Sequence, residues 1–454
     1  MAIFLDVPQR ANIRYLCLSC AIRDFGDGFV ALLLPVYLAA RGLGAFEVGL
    51  VATLALLGSA LMTLGVGFVG ARHDPRGLLL AASFLMLATG LAFAASSTLA
   101  FVSIVALLGT INPSSGSVSI FVPLEHAVLA RSVAADARTR VFARYSLIGA
   151  LAAALGSLAA TTPGRLSVSG APALGTLQAM FVLYALLGAF AGLSYACLAR
   201  GVPSAAERPR TPLGPSRSVV YRLAALFSLD AFAGGFVVQS LMALWLFERF
   251  GLSLAAVGML FLWTGVASAF SFPVAAWLAR RIGLVNTMVF THIPSSLCLI
   301  LAALVPRVEL ALAALLVRAF LSQMDVPTRS SYVMAVVTPA ERTAAASVTA
   351  VPRSLAAAIS PALAGGLFAA GFPALPLIIC GTLKIGYDIA LLWTFRDIRP
   401  PEERHRNRCR GLRPGMSRPG PLGDQSTRYR PPAVDGLDAR KPRKGSTPLR
   451  RSAG

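Results

Sequence analysis

The chain has 454 residues, of which 56% are hydrophobic and only 13% charged, about half the charged share of an ordinary soluble domain. So few charges cannot cover a water-exposed surface of this size, and so apolar a chain cannot stay disordered over most of its length, so the excess must face lipid. The net charge of +21 does not point to nucleic acid: 38 of the 41 basic residues are Arg, 15 basic against 6 acidic residues fall in 397–454, and most of the others lie between apolar runs, where they set topology.

Residues 1–14 lack a basic start followed by a long apolar core, so no cleaved signal peptide is predicted. A span needs about 20 apolar residues. On that measure twelve spans are predicted, over 16–40, 46–70, 77–97, 99–124, 142–163, 176–199, 220–248, 254–279, 284–305, 309–337, 344–371 and 374–396. The third and fourth are separated only by Ser96-Ser97-Thr98. The fold class is therefore an all-α membrane protein.

Charges inside such spans are costly, at about 2.5–3.5 kcal/mol on insertion scales, and mark pathways or pairings. In the first span Asp24 and Asp27 lie three apart on one face, beside Arg23. Two carboxylates this close in a low dielectric resist double ionisation, which suits a proton-coupling site; pairing with Arg23 is the plainer alternative. The same span holds Cys17 and Cys20, a C-x-x-C with no second pair and no nearby His, read as packing with a thiophilic metal or arsenical site as the alternative. No metal or cofactor is assigned. The fourth span carries Asn112-Pro113, Pro123, Glu125 and His126. Asp230 in the seventh has no local basic partner after Arg222, so it is either protonated or paired across the bundle. The tenth holds Arg318, Asp325 and Arg329; the last two are i,i+4 and can pair, and Pro327 between them breaks the backbone ladder. Lys384, the only Lys outside the tail, is four residues before Asp388 in the twelfth, and an i,i+4 pair would neutralise both. His292 is read as bonded to a carbonyl, and Trp245, Trp263, Trp277 and Trp393 as interface anchors.

Residues 200–218, broken by Pro, Gly and Arg, form the clearest linker and divide the spans six and six. The expected organisation is an N-terminal six-helix half over 1–199, a cytoplasmic linker over 200–218, a C-terminal half over 219–396 and a disordered basic cytoplasmic tail over 397–454. Arg concentrates in the even-numbered gaps, for example Arg72 and Arg76, Arg131, Arg138 and Arg140, and Arg280 and Arg281, while the odd gaps hold little. The basic side is cytoplasmic, so both termini are predicted inside. The halves echo each other: Arg23-Asp-Phe-Gly-Asp-Gly-Phe-Val30 resembles Leu229-Asp-Ala-Phe-Ala-Gly-Gly-Phe-Val237, and a shift of 204 aligns Pro123 with Pro327 and Arg138-Thr139 with Arg342-Thr343. The same shift places Glu125 opposite Arg329, with reversed charge, which suggests an ion pair between the halves. A duplicated six-helix unit, giving two pseudo-symmetric bundles, accounts for these matches.

Twelve spans, a basic central linker and two similar halves resemble the major facilitator superfamily over residues 14–396. After its second helix that superfamily has a loop of the form G-x-x-x-D-R-x-G-R-R; Gly67-Phe-Val-Gly-Ala-Arg72-His-Asp74-Pro-Arg76-Gly77 is similar, with Ala71 or Arg72 at the usual Asp position. Trp277-Leu-Ala-Arg280-Arg281-Ile-Gly283 keeps the basic pair and the Gly in the second half and lacks the acid. Residues 325–337 resemble a bacterial group within the superfamily with no assigned substrate. The resemblance implies that Arg72, Asp74, Arg76, Gly77, Arg280, Arg281 and Gly283 form a cytoplasmic gate, and that the fourth and tenth helices line a central cavity. The plainer reading leaves these Arg as topology signals.

No phosphate-binding glycine–Lys loop and no catalytic Ser/His/Asp spacing occurs, so neither ATP-driven transport nor enzymatic activity is expected. The resemblance implies a secondary transporter in the bacterial inner membrane, working by alternating access. The reading adopted is proton-coupled efflux of a small organic or toxic compound by a monomer in the lipid bilayer, with no nucleic-acid partner. Two alternatives stand: proton-linked uptake of a metabolite anion bound through Arg318 or Arg329, and a transporter-like receptor or scaffold acting through its tail.

Overall fold

A computed structural model describes residues 7–395 apart from 70–72, 97, 115–118, 134, 167–171, 200–212 and 339–340. The expected tail over 397–454 and most of the expected linker lie outside the described residues. All regular structure among the described residues is helical, and nine helices are long and apolar enough to cross a membrane.

The first helix, α1 (Val7–Ala40), is followed by α2 (Ala45–Val69) and α3 (Pro75–Ala95). The polar break after α3 is where the sequence places it, because Thr98 accepts a hydrogen bond from the Phe101 amide at 3.4 Å and starts a new helix. The fourth predicted span is not one helix. It is α4 (Leu99–Leu108) and α5 (Phe121–Arg131) with irregular chain between them. Helix α4 stops at Gly109, four residues before Pro113, which has no N–H to give the Gly109 carbonyl. The same rule divides the tenth predicted span into α13 (Val308–Ser322) and α14 (Asp325–Val336): the C-cap of α13 is Gln323, four residues before Pro327. The seventh is also divided, into α9 (Arg217–Gly235) and α10 (Gln239–Phe250).

The remaining helices are α6 (Ala135–Ala159), the single turn α7 (Thr162–Arg165), α8 (Leu174–Ala196), α11 (Leu254–Ile282), α12 (Leu284–Leu304), α15 (Arg342–Ala369) and α16 (Leu375–Phe395). Helix α11 passes into α12 through Gly283 alone, at φ +94°, a conformation that side-chain-bearing residues resist.

In this bundle α1 packs on α6 and α8, α3 on α8, α9 on α15 and α16, and α12 on α13 and α16. The most extensive contacts between the first six predicted spans and the last six are α2 against α15 and α6 against α11, with α10 also touching α1 and α2. Both of the extensive contacts include close backbone approaches at glycine. A Cβ on Gly49 would overlap the Pro361 carbonyl and come 2.9 Å from the Gly365 Cα, and one on Gly258 would lie 2.7 Å from the Ser157 carbonyl oxygen. The Ala362 amide also donates to Thr53 Oγ1 at 2.9 Å, and Gln239 Nε2 to Ser157 Oγ at 3.3 Å. These contacts use the start of α2, the end of α15, the end of α6 and the starts of α10 and α11. All of those ends adjoin the Arg-poor connections.

On the Arg-rich side, Glu341 holds the chain entering α9. It accepts hydrogen bonds from the Gly214 amide, from Ser216 Oγ at 2.6 Å and from Thr338 Oγ1 at 2.6 Å. Burial by itself raises this carboxyl, but the hydrogen bonds from Ser216, Thr338 and Gly214 outweigh it and hold it below its ordinary 4.5. A lowered folded value means that its contribution to stability is complete above about pH 4.5 and is lost as pH falls through the folded value. Glu341→Gln should therefore lower the melting temperature at pH 7, and the gap to the wild-type should narrow in melts below pH 4. Gly49→Val should destabilise by about 1–3 kcal/mol through overpacking, and a melt equal to the wild-type would show that α2 and α15 do not need this approach.

Candidate functional site

The helices enclose a cavity of about 620 Å³. Its walls come from α1, α5 and α6 on one side and from α9, α10, α11, α13, α14 and α15 on the other. Four charged residues line it, Arg23, Asp24, Arg318 and Arg353, with hydroxyls and amides such as Ser268, Ser322, Gln239 and Gln323 and apolar surface from Leu260, Phe261 and Phe272.

Beside the cavity two buried charge clusters form. In the first, Arg23 Nη2 lies 3.0 Å from Glu125 Oε2 and Nη1 lies 3.1 Å from Asp24 Oδ1, with the guanidinium 5.2 Å over the Phe121 ring. Glu125 is fully buried and also accepts from Tyr195 Oη at 2.6 Å and from Tyr145 Oη. Helix α6 makes room for Asp24 with Gly149, where a Cβ would overlap the carboxylate. Cys20 Sγ donates to Asp24 Oδ2 at 3.4 Å. Asp27 turns elsewhere and accepts from Tyr184 Oη at 3.4 Å.

In the second cluster, Asp230 Oδ2 meets Arg329 Nη1 at 2.9 Å and Asp230 Oδ1 meets Lys384 Nζ at 2.6 Å. Arg329 Nη2 holds Asp325 Oδ2 at 2.9 Å and its guanidinium lies 5.4 Å over Phe227. His292 Nδ1 is 3.1 Å from Asp388, while its Nε2 is 3.3 Å from Lys384 Nζ and 3.8 Å from Asp230 Oδ1.

Several sequence expectations change here. Glu125 and Arg329 do not pair with each other; each is satisfied among its own neighbouring helices, by Arg23 and by Asp230. Lys384 and Asp388 are not an ion pair: Lys384 reaches across to Asp230, and Asp388 is taken by His292. His292 is bonded to a carboxylate and not to a carbonyl. Trp245 is wholly buried and anchors no interface, whereas Trp263, Trp277 and Trp393 are exposed. The Asp325–Arg329 pair forms as the i,i+4 spacing predicts.

Of the expected gate residues, Arg72 lies outside the described residues. Asp74 caps α3 by accepting from the Arg76 amide at 3.2 Å, and Arg76 Nη2 donates to the Ala196 carbonyl near the end of α8. Gly77 has open space where a Cβ would sit. Arg281 lies 5.3 Å over the Trp277 ring, at the end of α11 beside Arg280, and Gly283 makes the turn into α12.

The sequence reading passed over Arg353, although a charge inside the eleventh span was signal enough, and it gave no role to Tyr145 or Tyr195, whose partner is remote in sequence.

The chain is thus a many-helix membrane bundle around a cavity, with charges buried in paired clusters. The sequence model of the Major Facilitator Superfamily matches residues 223–432. The chain is similar to the nucleoside transporter NupG, at 13% identity, 85% of this chain, 99% of that one and a TM-score of 0.66. It is similar in the same way to a bacterial homolog of the human lysosomal transporter Spinster, at 13% identity, 85% and 95% coverage and a TM-score of 0.61. The human organic anion transporter MFSD10 shares 18% identity over 85% of this chain and 99% of its own, with a TM-score of 0.59. In sequence, the uncharacterized membrane protein YJR124C of Saccharomyces cerevisiae is 24% identical over 434 residues, 87% of this chain and 97% of its own. The family model thus covers the second half of the chain, and the fold as a whole is that of solved transporters.

Removing one partner of a buried pair leaves an uncompensated charge, at a cost of about 3–5 kcal/mol. Arg23 keeps Asp24 when Glu125 is neutralised, so Glu125→Gln should lower stability by less than that, about 1–3 kcal/mol, and Arg23→Met/Asp24→Asn/Glu125→Leu together should recover most of it. A triple variant no better than the single one would show that the tyrosines, and not the pairing, require Glu125.

Proposed function

We propose that this protein is a secondary transporter that works by alternating access. Its twelve spans form two pseudo-symmetric six-helix halves, 1–199 and 219–396, joined by 200–218, with both termini and the tail in the cytoplasm of a bacterial inner membrane. The observation that carries this reading is the cavity between the two groups of helices, sealed by glycine contacts at the Arg-poor ends and lined toward the Arg-rich ends by Tyr145, Phe272 and Arg353. That arrangement fits a state open to the cytoplasm. Closing it would bring the ends of α2 and α11 together, with Arg72, Asp74, Arg76, Arg280 and Arg281 meeting there as the gate.

Coupling to protons is assigned first to the second cluster. His292 Nδ1 faces Asp388 at 3.1 Å and its Nε2 faces Lys384 at 3.3 Å. A proton on Nε2 would repel Lys384 and turn the ring toward Asp230, 3.8 Å away, which is the exchange of partners that a coupled carrier needs. Asp24 and Asp27 are the second candidates. The substrate is a small organic compound, and efflux is the direction proposed.

In proteoliposomes with an imposed pH gradient, a compound that stabilises the purified protein should accumulate against its own gradient. His292→Gln and Asp388→Asn should keep counterflow and lose that accumulation. Absence of counterflow for every bound compound would remove the transporter reading. Undiminished accumulation in both variants would remove the coupling assignment.

A further inference from the structure

The charge inventory of the cavity is unbalanced. Of its four charged lining residues, Arg23 and Asp24 face each other, and Arg23 is also held by Glu125. Arg318 and Arg353 form no ion pair with any carboxylate among the described residues. Both stand inside apolar helices, and a guanidinium does not shed its proton to escape a low dielectric. The two buried guanidinium groups among the described residues are matched, Arg23 by two carboxylates and Arg329 by two more. Half-buried Arg318 and exposed Arg353, which both line the cavity, are not.

We infer that the cavity is a binding site for a small organic anion, whose carboxylate or phosphate is held by Arg318 and Arg353. A guanidinium presents two parallel N–H donors to such a group, which a neutral or cationic solute cannot use. Arg318 is carried on α13, where Ser295 Oγ donates to its carbonyl at 3.4 Å, and Arg353 follows Pro352 in α15, so the two cations approach from different helices. Gln323 supplies further donors, while Phe261 and Phe272 offer apolar surface to the rest of the solute. A cavity of about 620 Å³ is of the size that takes a small organic molecule. This deepens the transporter reading and rests on it for the word substrate, but the site itself can be tested without transport.

The test uses the full-length protein in detergent, with matched probes: phenylacetate and phenyl phosphate against phenylacetamide and phenethylamine, in a gluconate background. At least one of the two anions should raise the melting temperature above the effect of the neutral and cationic probes. Arg318→Gln and Arg353→Gln should each weaken the apparent affinity about 10- to 100-fold, and the double variant should show no anion response. Arg318→Met provides a check on folding. Removing a cation that has no protein partner should leave the ligand-free melting temperature equal or higher, where a merely structural Arg would lower it. Equal stabilisation by phenylacetamide, an undiminished anion response in the double variant, or no response to either anion would overturn the site. So would chloride alone reproducing the whole effect. Anion binding without counterflow would keep the site and remove the transporter reading, whereas counterflow of a neutral solute without anion response would do the reverse.

Discussion

The two buried clusters rest on one requirement: a charge fully buried among apolar helices has to meet its opposite there. Water is not at hand to solvate it, and an isolated charge in such surroundings costs far more than a misplaced methyl group. Arg23 with Glu125 joins α1 to α5, and Asp230 with Arg329 joins α9 to α14. Each guanidinium lies over a phenylalanine ring, Phe121 or Phe227. The polarity is opposite in the two: the earlier helix gives the cation in the first cluster and the anion in the second. Each pair fixes the lateral position of a helix that is broken near a proline and has fewer ladder hydrogen bonds to hold it.

The two clusters differ in mobility. Around Glu125 the donors are a planar guanidinium and two tyrosines on α6 and α8. Around Asp230 the donors include Lys384, a point charge on a flexible four-carbon stem, and a ring that has two nitrogens with different partners. The first is built to stay; the second has neighbours to exchange. The first reaches the cavity wall through Arg23 and Asp24, whereas none of the charges of the second lines it.

Much of this was legible in the sequence. Apolar runs bounded by Arg, Gly and Pro located most of the helices, because a lipid-facing helix has few ways to hide its length, but α1 starts at Val7 and not at 16, α6 at Ala135 and not at 142, and the fourth, seventh and tenth spans are each broken in two. Pro327 announced a break, and Pro113 carried the same signal for α4. The i,i+4 pair Asp325–Arg329 was readable because local spacing fixes it. The other pairs were not, since Arg23 and Glu125 are 102 residues apart and Asp230 and Lys384 are 154 apart. Local spacing even misled at Lys384 and Asp388, where side chains one turn apart reach for different helices. Trp245 likewise follows the packing of α10 and not the rule for tryptophan at membrane boundaries.

The backbone contacts of Gly49 with Gly365 and of Gly258 with Ser157 have a kinetic meaning. A junction between large side chains must order many rotamers each time it forms and release them each time it parts. One made by main chain against main chain orders almost none, since glycine has no side chain to lose. Its cohesion is short-ranged dispersion, which vanishes within an ångström or so of separation. Such a junction parts abruptly and re-forms without searching, so the helices it joins can be separated and rejoined many times in the same register.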